Sequence, residues 1–145
     1  MISNAFANDL LKLVFNGAPI SGLADNAASS PLTNLYWTLH TADPGAGGNQ
    51  STNEVNYTGW ARLSAARTSG GFTVSGVTMN PTANVEFPEM TGGTAQTATH
   101  LSIGTANTGA SGKVLFRFAL SPAISLNTSV VPRLRTTTTL TAVTS

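Results

Sequence analysis

The chain has 145 residues, of which only 9% are charged, and its formal net charge is +1. Its seven Lys and Arg residues are scattered, which excludes the clustered basic face of a nucleic-acid binder. No apolar run reaches the roughly 18 residues of a membrane span, and the absence of cysteine excludes disulfides and thiolate metal sites.

Length alone allows one ordinary domain with a buried core. Residues 10–15 are apolar, but Lys12 interrupts them and no basic region precedes them, so they read as neither a signal peptide nor a membrane anchor. Residues 3–15 carry the spacing of a short helix, with Ser3 or Asn4 able to cap its start. Phe6, Leu10, Leu13 and Val14 fall on one face, and Leu11 and Phe15 form a second stripe beside it. So wide an apolar arc is either clasped on two sides by its own domain or shared with a partner chain. Asn16-Gly17 supplies a stop and Pro19 prevents resumption. Residues 17–34, rich in Ala, Ser and Asn without periodicity, read as an extended arm.

From residue 35 onward the pattern is β. Runs rich in β-branched and aromatic residues fall at 35–41, 57–66, 71–75, 84–87, 99–104, 113–120 and 133–143, separated by Gly, Pro and Asn clusters. The expected class is therefore mainly β, a β-sandwich or jelly roll over 35–145, preceded by the helix and arm of 1–34. The nearly uncharged run 136–143 would be an aggregation hazard as a free edge, so it is expected to pair within the sheet or with another subunit.

Candidate chemistry is sparse. His40, Asp43 and Glu54 could approach one another across the loop between the first two runs, but their spacing matches no metal-ligand pattern. His100 lies near Ser102 without a nucleophile elbow. Glu86 and Glu89 flank Phe87-Pro88 without a defined sugar cleft. Gly45-Ala46-Gly47-Gly48 lacks the ending of a phosphate loop, and Gly109-Ala110-Ser111-Gly112-Lys113 leads into a strand rather than a helix. No catalytic residue, cofactor or metal is expected.

The stretch 35–63 nevertheless holds both tryptophans and both tyrosines. Its run L-Y-W-T-L-H-T-A-D-P-G is followed by G-N-Q-S-T-N-E-V-N-Y-T-G-W-A-R, then by F-P-E-M-T-G-G, H-L-S-I-G-T-A and G-K-V-L-F. Together these resemble a family of small tailed-bacteriophage virion proteins, labelled either capsid decoration (cement) proteins or tail-fibre-like proteins. The resemblance covers about residues 35–120 and implies a virion component with a β-sandwich or jelly-roll fold and no catalytic residues. The first expectation is a decoration protein on the outer capsid surface, binding the major capsid protein as a homodimer or homotrimer, with no nucleic-acid or membrane partner. The alternative is a tail or tail-fibre component in assembly or host attachment. For either role Trp37 and Trp60 are expected as buried or interface anchors, and Asp43, Asn49 and Glu54 as contacts from the loop. Phe6, Leu10, Leu13 and Val14 are the candidates on the helix.

Overall fold

A computed structural model describes residues 4–20, 32–138 and 140–141. The protein is mainly β with one helix among the described residues. In chain order the elements are α1 (Asn4–Asn16), β1 (Asn34–His40), β2 (Leu63–Ala66), β3 (Phe72–Ser75), β4 (Thr78–Pro81), β5 (Val85–Glu86), β6 (Gln96–Gly104), β7 (Val114–Leu126), β8 (Arg133–Leu134) and β9 (Leu140–Thr141). They group into two compact units, each drawn from separate stretches of sequence. The first comprises Met1–Asn34, Ala65–Asn84 and Arg135–Ser145, the second Leu35–Ser64 and Val85–Leu134. The chain first passes between units after Asn34, and later strands return it to the unit that holds the helix.

In the first unit α1 packs on β3. Ala7, Leu11 and Phe15 are its buried line, and the Phe15 ring meets Phe72 at 4.9 Å between centroids with the planes at 54°. The inward stripe is therefore the second of the two expected, while Leu10, Leu13 and Val14 are half-buried. The side chain of Phe6 lies outside the described residues. α1 has no basic residue in its last turn, and its final carbonyls would otherwise lack partners. Arg67 supplies them from another segment: Nε donates to Val14 O at 2.6 Å and Nη2 to Leu13 O at 2.5 Å. A cation at this end of the helix also complements its dipole. Gly17, at φ 65°, turns the chain away.

β3 and β4 form an antiparallel hairpin in which Ser75 pairs with Thr78. Gly76, at φ 58°, takes the first of its two loop positions, where a two-residue turn calls for glycine. β9 adds to β4 through Met79 and Leu140. The expected single strand over 133–143 is instead two short ones, because a turn with Thr138 N–H on Arg135 O separates them. β8 pairs with β5 in the second unit and β9 with β4 in the first.

The second unit is built on β1, β6 and β7, neighbours in a four-stranded sheet ordered β2-β1-β6-β7. Five consecutive residues of β1 pair with β6, from Tyr36 on Gly104 to His40 on His100. Trp37, Leu39, Leu101 and Ile103 are at most 2% exposed and centre its core. β7 runs on past Pro122 to Leu126, beyond residue 120 where the expected run ended. Its pairing with β6 shifts register between His100 on Ala119 and Ala98 on Ile124, so Pro122 sits in a bulge of an edge strand and removes no ladder bond. Only the last residues of the expected 57–66 run are extended, as β2.

Candidate functional site

The loop from Thr41 to Arg62 leaves β1 and returns as β2. A loop so long needs partners for its buried backbone and side-chain polar groups, and it finds them in a polar interior of the same unit. Gln50 is fully buried; its Nε2 donates to Thr38 Oγ1 at 3.1 Å and its Oε1 accepts from Ala106 N–H at 2.9 Å. Its own N–H reaches Gly112 O at 3.3 Å. Gly104 and Gly112 press so closely on this side chain that a Cβ at either would run into it. Gly104→Ala is therefore expected to lower the unfolding free energy by about 1–3 kcal/mol, the cost of overpacking a closed site, which urea unfolding would register as an earlier midpoint.

His40 and Ser102, both fully buried, make a second tie. Thr52 O, 2.8 Å from Nδ1, can only accept, so Nδ1 carries the proton and Nε2 accepts from the Ser102 hydroxyl at 2.7 Å. Burial pushes the imidazole below the ordinary histidine value, against smaller upward pulls from Thr52 O and Glu54. The unfolded chain takes up this proton near pH 6.5, the folded one only at lower pH. Stability from this site is complete above that value, falls as pH drops through it, and levels off below the folded value. A urea midpoint that declines below about pH 6.5 is the expected result, and a flat profile there would contradict it.

Glu54 and Arg62 form the third tie. Arg62 Nε donates to Glu54 Oε1 and Nη2 to Oε2, each at 2.7 Å, with the Arg62 side chain 2% and the Glu54 side chain 17% exposed. The guanidinium also reaches Ala106 O at 3.1 Å, Ser51 Oγ at 3.0 Å and Gly109 O at 3.0 Å. One arginine thus joins the 51–54 segment to the 106–109 turn. Trp60 completes the group: its Nε1 donates to Glu54 Oε1 at 2.9 Å, and its ring stacks on Phe87 at 5.5 Å and meets Tyr57 edge-on at 5.5 Å. The Tyr57 hydroxyl donates to Pro88 O, and burial raises its pKa to about 12. Glu54, Trp60, Arg62 and the 107–109 turn border an open cleft of about 250 Å³.

The sequence candidates separate accordingly. Glu54 and Trp60 come together, whereas Trp37 is buried within the unit and acts as a core anchor. Asp43 is exposed: Oδ1 accepts from Gly45 N–H at 2.9 Å and pairs with Arg117 Nε at 2.9 Å. The Gly45 N–H first, and then Arg117, hold its carboxyl below the usual range. Asn49 is half-buried, bridges to Lys113 and accepts from Ser51 N–H. Of His40, Asp43 and Glu54, the first and last pair across a β-bridge while Asp43 turns to Arg117. Among the described residues no cluster of three His, Asp or Glu could hold a metal. Ser102 meets His40 rather than His100, and Glu86 pairs with Arg133. Gln50 and Arg62 were not among the candidate contacts, and the 109–112 glycine stretch was read only as a turn. A glutamine in a run of Asn and Ser resembles a surface residue, and one of its two side-chain partners, Ala106, lies 56 positions away.

A protein-family model described as Podophage GP4 fiber I protein gp80 matches residues 1–141. No curated protein matches the chain.

Proposed function

This chain belongs to the Podophage GP4 fiber I protein gp80 family, a family of phage virion proteins, and on that premise we propose that it is a structural component of a fibre on a tailed-phage particle. It works in this reading by contact and not by catalysis, with other virion proteins and further copies of itself as partners. The observation that carries the proposal is the family match, which takes in almost the whole chain. The site fits it physically, because the 41–62 loop is fixed from within by Gln50, His40 and Arg62. A loop already ordered loses little conformational freedom when it meets a partner. Capsid decoration, with the major capsid protein as partner, is the second reading. It carries one of the two labels that the resemblance of residues 35–120 implies and makes the opposite expectation for the same experiment. Gold-labelled antibody raised against the folded protein should mark the fibres of intact particles. Labelling over the head shell would select decoration instead, and unlabelled particles with the protein absent from their purified proteome would remove both.

A further inference from the structure

The cleft beside Trp60 has the chemistry of a ligand site, and that chemistry narrows the ligand. Arg62 borders it, yet its guanidinium is 2% exposed and turned onto Glu54, Ser51 and the carbonyls of Ala106 and Gly109. It has no free face for an anion. Glu54 is already neutralised by a two-point ion pair, so a cation gains little from approaching it. The cleft is thus electrically balanced and favours a neutral occupant.

Its remaining surfaces are an aromatic ring and hydrogen-bonding groups. Phe87 stacks on Trp60 and Tyr57 meets it at an edge, while the ring remains half-buried and borders the cleft. Glu54 keeps acceptor capacity, because each carboxylate oxygen has two lone pairs and Oε2 receives one described bond. On the other side Asn107 and Thr108 are exposed and offer an amide and a hydroxyl. An apolar ring face bordered by a carboxylate, an amide and a hydroxyl suits a molecule with one C–H face and hydroxyls around its rim. Drug-sized pockets measure about 300–1,000 Å³, so an open cleft of about 250 Å³ takes a single ring.

We infer that the Trp60 cleft binds one neutral pyranose unit of a saccharide, its C–H face on the indole and its hydroxyls on Glu54, Asn107 and Thr108. The site is pre-formed, because the ion pair and the indole bond to Glu54 fix its floor and wall without ligand. The inference stands on the geometry of the second unit and does not depend on where in the particle the chain resides.

The two tryptophans supply the test, since only Trp60 borders the cleft and Trp37 is buried elsewhere in the core. In the full chain with 15N-labelled indoles, methyl glucoside, methyl galactoside and methyl mannoside are titrated separately into the millimolar range. At least one should shift the Trp60 indole N–H signal saturably while the Trp37 signal stays in place. Asn107→Ala and Thr108→Ala, both at exposed positions, should each weaken that binding by about tenfold and leave the unfolding midpoint unchanged. The inference is overturned if none of the sugars moves the Trp60 signal, if both indoles move together, if the two variants bind as the parent does, or if inorganic phosphate moves Trp60 and the sugars do not.

Discussion

Replacing Arg62 by alanine is expected to lower the unfolding free energy by about 3–5 kcal/mol, because it leaves a mostly buried carboxylate without its cation. The Glu54 side chain is only 17% exposed, and after the change its remaining described side-chain donor is the Trp60 indole. The carbonyls of Ala106 and Gly109 lose their arginine donor in the same step. Lysine should restore little, since a single ammonium cannot reproduce the fork that joins two carboxylate oxygens and two turns. Arg133→Ala is the internal comparison. Its ion pair with Glu86 has both side chains half exposed, and solvent screening limits its contribution to about 0–1 kcal/mol. Urea unfolding of the two variants should therefore separate them clearly, and equal losses would show that the Arg62 network does not hold the loop.

Phe15→Ala is expected to cost about 3–5 kcal/mol, the range for emptying a large aromatic from a closed core. Phe15 is fully buried and meets Phe72, which is also fully buried, at 4.9 Å. The helix depends on such packing, since an isolated helix of 13 residues is marginal in water. Leu13→Ala, at a half-buried position on the same helix, should cost only about 1 kcal/mol. If far-ultraviolet circular dichroism and urea midpoints show the two variants equally affected, the buried stripe has been assigned wrongly.

That stripe shows where sequence reasoning reached its limit. Two apolar lines lie side by side on one helix, Phe6-Leu10-Leu13-Val14 and Leu11-Phe15, and the choice between them is made by Phe72, which meets Phe15, while Ala7 extends the buried line with a side chain too small to mark it in the sequence. The β character, the helix, the glycine turns and the weight of the 35–63 stretch were legible because each is a local pattern. The division of 133–143 into β8 and β9 was not, because its residues are uniformly β-prone and only their distant partners, β5 and β4, differ. The polar interior was hidden for the same reason. His40 finds Ser102 across 62 positions and Gln50 finds Ala106 across 56, and neither separation leaves a mark on the intervening sequence. Arg67, which closes the end of α1 from 53 positions beyond Val14, is a further case of a partner that no capping rule applied to the helix alone would find.

These long-range ties give the 41–62 loop its fixed form, and a fixed exposed loop is the basis for a role in assembly by contact. A reconstruction of the intact phage particle by electron cryomicroscopy tests that role most directly. Density matching the unit built on β1, β6 and β7 is expected within a fibre, with the 41–62 loop or the adjoining cleft facing a neighbouring molecule. The same unit on the outer surface of the capsid shell, or its absence from the particle, would contradict it.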